Sequence, residues 1–302
     1  MLIAGVRAPM LLVFLAASIL LAGCSAKSAC AAATASGPPP ACPVRVVIAA
    51  SEVLVGTDRI LLGITDAQNN PIVNAHVHLR LFAPQVGGKA PSAETDAIYL
   101  GGTQGAAKAL YSMRATFDRP GQWRVEAVVT QQGKPPLTVP ATLDVMAKGD
   151  APAVGQPFPP AKNATSADVP AEQLTSQRPI ADADFYKLSV AGALQGGKPL
   201  MVVVATPAFC ETQTCGPQLE AAQALKKAYA DRMNFIHIEV FQRPDLLLQG
   251  QGQPQVNPIL FDWKLQTEPW VFIVDAHGNL FDRFEGYAPE SELAASVQRL
   301  FQ

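Results

Sequence analysis

Apolar and polar positions follow two different rhythms along this chain, and the change of rhythm divides it. From Val44 to Val145 the apolar residues recur at every second position in short runs: Val44–Val55, Arg59–Ile64, Ile72–Phe82, Ala97–Leu100, Ala109–Phe117, Gln122–Thr130 and Leu137–Val145. Turn chemistry separates them at Asp66 to Pro71, Pro84 to Pro91 and Arg119-Pro120-Gly121, so the pattern predicts about seven strands. Beyond residue 177 the pattern mixes strands with helices. Leu200 to Ala205 is an unbroken, β-branched apolar run, the mark of a strand buried on both faces. After Gly216-Pro217, which suits a first helical turn, Leu219, Ala222, Leu225, Ala228, Tyr229 and Met233 recur at helical spacing. Asn234–Phe241 alternates again, Trp270–Val274 and Leu280–Phe284 flank a turn at Asp275 to Gly278, and a helix opens after Pro289 with Leu293, Val297, Leu300 and Phe301 as its buried stripe. A short helix is predicted over Phe185–Leu194, stopped by Gly196-Gly197. Residues 148–176 are rich in Pro, Ala and Gly without periodicity and read as a linker, entering the second domain near Val154 to Pro159. Arg243–Gln266, with its Gln249 to Pro254 stretch, reads as a flexible insertion; Trp263 within it is either core or a cover for nearby chemistry.

Seven short strands with this spacing argue for an immunoglobulin-type β-sandwich over residues 44–147. Ala115 to Glu126 resembles the penultimate hairpin of bacterial extracytoplasmic sandwich domains. The N-terminus carries one charge, Arg7, and then the apolar run Ala8–Ala22, too short for a span but right for a signal peptide, residues 1–23. Leu21-Ala22-Gly23-Cys24 resembles a bacterial lipobox. That resemblance implies cleavage before Cys24, a diacylglycerol on its sulfur, and a protein anchored to the cell membrane on its extracytoplasmic face; Ser25 would favour outer-membrane sorting where an outer membrane exists. An ordinary secretory leader with an incidental cysteine is the alternative, and export follows either way. Residues 24–43 form a low-complexity tether. Of 302 residues, 49% are hydrophobic, enough for a core in each half. Net charge is −2, with 23 basic and 25 acidic residues and no basic stripe, which argues against a nucleic-acid partner.

Export makes the five cysteines interpretable. Cys24 is the lipidation candidate. Cys30 and Cys42 bracket the tether and are either a structural disulfide or two free thiols. Cys210 and Cys215 lie between the buried strand and the helix, where free N–H groups and the helix dipole stabilise a thiolate. Residues five apart on a continuous helix point about 140° from one another and sit more than ~7 Å apart, too far for a disulfide. Cys210 is therefore expected in the loop, with Cys215 at or near the N-cap. That makes Cys215 the better candidate for a depressed pKa and leaves the identity of the nucleophile open.

Strand, Phe209-Cys210, Cys215, Gly216-Pro217, helix and the later Glu268-Pro269-Trp270-Val271 resemble the thioredoxin-like superfamily, over roughly Ala153 to Gln302 with the domain proper at 177–302. The expected fold class is thus an all-β immunoglobulin-like sandwich followed by an α/β thioredoxin-like domain. Family members keep two residues between the cysteines where this chain has four, and their first cysteine attacks. The family's buried acid, six positions before the first cysteine, is replaced by Val204, so another group or water must handle the proton. Glu239 is a candidate acceptor or merely a capped carboxylate, and His237 is read as structural. The resemblance further implies a cis Pro269 beside the cysteines, with Glu268 presenting main-chain groups to an extended substrate; Phe209, Glu268 and Pro269 form the expected substrate-binding set.

These expectations favour a membrane-tethered thiol–disulfide oxidoreductase acting on exported protein thiols or disulfides through Cys210 and Cys215, with no cofactor beyond that redox-active pair. One alternative is copper delivery, since the chain resembles the copper carriers of cytochrome-oxidase assembly. In that case His237 or His277 would supply a third ligand, and His76 and His78, two apart on one strand face with Met113 as a soft partner, a second conceivable site. The remaining alternative is a non-catalytic surface binding module with a structural Cys210–Cys215 bridge.

Overall fold

The computed structural model describes residues 28–30, 42–84, 90–102 and 105–302; the leader 1–23, the lipidation candidate Cys24 and most of the tether lie outside them. The N-terminal domain contains β1 (Ser28–Ala29), β2 (Val44–Ile48), β3 (Gly56–Asp66), β4 (His76–Phe82), β5 (Ala93–Tyr99), β6 (Leu110–Phe117), β7 (Gly121–Thr130) and β8 (Leu137–Val145). They run in the order β1-β8-β7-β4-β5-β6-β3-β2. Strand β5 belongs to both layers: residues 93–97 pair with β4 and residues 98–99 with β6. The strand-period alternation places Val77, Leu79, Leu81, Ile60, Leu62, Ile64, Phe117 and Trp123 in one shared core. The described part of the tether is fastened to this domain, since β1 pairs in parallel with β8 and Cys30 is disulfide-bonded to Cys42, Cα to Cα 5.5 Å.

The C-terminal domain is a four-stranded sheet of β9 (Leu200–Ala205), β10 (Asn234–Glu239), β11 (Trp270–Val274) and β12 (Leu280–Glu285) in the order β10-β9-β11-β12. Strands β9 and β10 are parallel and the other pairs antiparallel. Its helices are α1 (Val190–Gln195), α2 (Cys215–Tyr229), α3 (Pro244–Leu248), α4 (Pro258–Asp262) and α5 (Glu290–Leu300). Leu219 and Leu225 of α2 and Leu293 and Val297 of α5 cover one face of the sheet. Phe158, Val190 of α1 and Trp263 cover the other. The predicted helix over Phe185–Leu194 is divided: a 3₁₀ turn at Ala183–Tyr186, then α1, which begins only where Ser189 caps the Gly192 N–H.

Two stretches that lack periodicity nevertheless pack. Within 148–176, the segment read as a linker, Phe158 sits against Trp263 and Phe272 with ring centroids 4.9 and 5.3 Å away, and its backbone joins the β11–β12 turn through Phe158 N to Gly278 O. Residues 243–266, read as a flexible insertion, are pinned by α3, α4 and the Gln242 N to Gln255 O bond, and Trp263 is core. Sparse, isolated aromatic anchors leave no periodic trace in sequence.

The domains meet through buried charge. Arg59 of β3 forks onto Glu292 of α5 and also donates to the carbonyls of Glu285 and Tyr287. Arg283 of β12 reaches Glu52, and Arg114 of β6 reaches Asp282 of β12.

Candidate active site

Strand β9 ends at Ala205, the chain turns through Thr206 to Thr214, and α2 starts at Cys215 with Thr214 as its N-cap. The loop closes on itself through the Gln213 N–H to the Cys210 carbonyl, with Gln213 in the left-handed region at φ 57°. Cys210 thus lies in the loop and Cys215 in the first helical turn. Both carry free thiols; Cys215 is fully buried and Cys210 is 9% exposed.

The charge distribution reverses the expectation drawn from chain position. Cys210 is the sulfur with the depressed pKa, held down to about 5, first by the Cys215 thiol donating to it, then by the Thr212 hydroxyl at 3.3 Å and the backbone N–H groups of Cys215 and Thr214. Thr214 in turn lies 2.7 Å from Thr212, so two hydroxyls line up toward the sulfur. Cys215 is shifted upward, because it is the donor in that pair and is buried. A helix N-terminus stabilises whichever sulfur lies above it, and the loop folds Cys210 back over that end. Alkylation of the reduced protein by iodoacetamide is therefore expected to show one fast thiol with a midpoint near pH 5, its rate falling as pH drops through that value. The same depressed pKa stabilises the reduced fold fully above the unfolded thiol value near 8.5, and that contribution is lost as pH falls through about 5.

Glu268 completes the cluster: its carboxylate and the two sulfurs lie within 4.8 Å of one another. Burial raises its pKa, with the charges of Cys210 and Glu211 adding to the shift. The Glu268–Pro269 peptide is cis and Pro269 is buried, and among the described residues the Glu268 main chain makes no hydrogen bond. Phe209 is half-buried and meets Phe241 edge-on at 6.0 Å. Glu239, the other candidate acceptor, is buried at the end of β10, where it accepts from the Ser176 N–H at 2.7 Å and the Val240 N–H at 3.1 Å; burial lifts its pKa to about 7. Among the described residues no hydrogen bond joins it to either sulfur.

The histidines are placed elsewhere. His237 is buried, its Nε2–H donating to the Ala205 carbonyl while Nδ1 accepts from the Tyr186 hydroxyl, and burial drops its pKa to about 4. His277 is exposed in the β11–β12 turn, a strand length from Pro269. His76 and His78 do share an outward face, but both ring nitrogens of His78 are engaged, Nδ1 by Asp96 and Nε2 by Glu94, each at 2.8 Å, and Met113 is in the core on the opposite side.

Sequence reasoning missed the contribution of the sandwich. A 3₁₀ turn at Gly105–Ala109 reaches across so that the Ala106 N–H donates to the Thr212 carbonyl at 3.0 Å. Gly105 itself is at φ +46°, and a Cβ there would lie 2.5 Å from the Thr212 oxygen. It also missed Thr212 and Thr214, whose spacing within the loop was a usable signal.

A β-sandwich of the immunoglobulin-like kind followed by a thioredoxin-like domain with a four-residue spacer between its cysteines is the class these features define. Residues 186–301 match the family model described as a thioredoxin-like domain. Among solved structures, the thioredoxin-family thiol:disulfide interchange protein from Chlorobium tepidum TLS is similar at 18% identity and TM-score 0.35, covering 50% of this chain and 100% of its own. StoA from Bacillus subtilis is similar at 15% identity and TM-score 0.27, covering 33% and 83%. The Lin-41 filamin domain is similar at 13% identity and TM-score 0.22, covering 37% and 100%. No curated protein matches the chain. Among the described residues no helix is long and apolar enough to cross a membrane.

Proposed function

We infer that the protein carries out thiol–disulfide exchange. The observation that supports this reading is a thiolate-favouring Cys210, largely buried but less enclosed than the Cys215 thiol beside it. Cys210 thiolate attacks a partner disulfide; a Cys210–partner bond forms, the partner bond breaks, and the released sulfur takes up a proton. Cys215 then loses its proton, for which Glu268 is the nearby carboxylate, and attacks the Cys210 sulfur. The partner leaves as a thiol and Cys210–Cys215 is oxidised by two electrons; the reverse sequence oxidises a partner dithiol. An exported, lipid-anchored setting, resting on Leu21 to Cys24, is part of this reading and makes exported proteins the natural partners.

The test is the reduction potential of the full-length chain in detergent, equilibrated against glutathione. A reversible couple between roughly −120 and −270 mV is expected, the range of catalytic dithiols, and its value sets the direction. A bond that resists reduction below about −300 mV would overturn the reading in favour of a structural disulfide.

A second reading is favoured by the Cys210, Cys215 and Glu268 cluster, which offers two sulfurs and a carboxylate to a metal ion. That donor set suits a borderline ion such as zinc better than copper(I), for which His237 and His277 are misplaced. Copper delivery would have to rest on the two cysteines alone.

A further inference from the structure

We propose that the cleft between the two domains receives an extended polypeptide segment bearing a basic side chain close to the sulfur it presents to Cys210. This rests on the exchange chemistry above and adds to it a class of substrate and a role for the sandwich. The cleft, about 380 Å³, is bounded on one side by Thr212, Thr214 and Glu268 of the cysteine site and on the other by Ile48, Ala50 and Leu110 of the sandwich. Anything that reaches Cys210 past Glu268 therefore meets the sandwich as well.

Three features describe the occupant. The Glu268 main chain is unpaired among the described residues and stands at the start of β11, so an extended chain can add to it through backbone hydrogen bonds. The sandwich wall is apolar, which suits the body of an extended segment better than a small polar thiol. Among the described residues, the charged ones lining the cleft are Glu268 and Glu285, with no lysine or arginine. Glu285 Oε1 accepts from the Ser51 N–H at 2.8 Å and the Thr267 hydroxyl at 2.7 Å, while Oε2 is buried without a hydrogen-bond partner among the described residues. Arg59, which binds the Glu285 carbonyl, directs its fork to the Glu292 carboxylate. Two carboxylates that have no cationic partner among the described residues, one of them beside a thiolate, repel an acidic segment and attract a basic one.

The test uses the reduced full-length chain in detergent at physiological salt and two blocked five-residue peptides. Each presents one cysteine as a mixed disulfide with mercaptoethanol, flanked by arginines in one and glutamates in the other. Bis(2-hydroxyethyl) disulfide, uncharged and small, measures exchange without recognition. The wild-type chain should react about tenfold or more faster with the arginine peptide, the effect of a partly shielded charge pair. Part of that ratio comes from the peptides' own thiol acidity, so the variants decide. Glu285→Gln removes one charge, and Ser51→Lys, at an exposed position whose backbone bond to Glu285 is kept, places an ammonium in the cleft. Each should lower the arginine-to-glutamate ratio by about threefold or more. An unchanged ratio in both variants would overturn the cleft assignment while leaving exchange intact. A wild-type chain inert toward the uncharged disulfide would instead overturn the exchange reading and this inference with it.

Discussion

Replacing Cys210 with serine should lower the exchange rate by more than about 10⁴-fold, to the level of solution without protein, because a serine hydroxyl is unionised at neutral pH whereas a thiol with a pKa near 5 is almost wholly thiolate. Cys215→Ser should behave differently. It keeps a hydroxyl beside Cys210 and the sulfur over the helix end, so attack still occurs, but the second sulfur is gone and the reaction stalls. A disulfide between Cys210 and the partner should then accumulate and be visible as an adduct by mass spectrometry without reductant. Burial acts alongside charge: Cys215 is fully enclosed and meets a partner sulfur only after Cys210 has brought it in. An adduct trapped by Cys210→Ser and absent from Cys215→Ser would reverse the assignment.

The second large effect is expected at the domain interface. Arg59→Met should destabilise the protein by about 3–5 kcal/mol, the usual result of removing one partner of a buried ion pair. The Arg59 side chain is 3% exposed and that of Glu292 21%, so the orphaned carboxylate is poorly solvated. The carbonyls of Glu285 and Tyr287 lose their donor at the same time. Scanning calorimetry should record a fall of roughly 6–20 °C in the main transition, at about 2–4 °C per kcal/mol for a chain of this size, with the two domains beginning to melt separately. A shift under about 2 °C, with a single transition, would show that the pair does not hold the domains together.

Much of the architecture was legible because it is written in local periodicity. Val77, Leu79 and Leu81 alternate with His76, His78 and Arg80, and that alternation alone sets β4 with one face in the core. The position of the cysteines was equally legible, since helix geometry excludes both from one continuous helix. Their acidity was not: it depends on which sulfur the loop folds over the helix end, where Cys210 accepts from the Cys215 thiol first and from the Thr212 hydroxyl after it. Nor did anything local announce Phe158, a single aromatic in a proline-rich stretch, or the turn at Gly105, whose partner Thr212 is more than a hundred positions away. Long-range contacts made by isolated residues carry no repeat to read.

The bond from Ala106 to Thr212 means that the cysteine loop has two masters. One end grows out of β9 and the other enters α2, yet its middle is gripped by a different domain. The C-terminal domain cut out by itself would keep every atom of the dithiol and lose the fixture that shapes it. A truncated fragment is therefore a poor stand-in for the protein's chemistry.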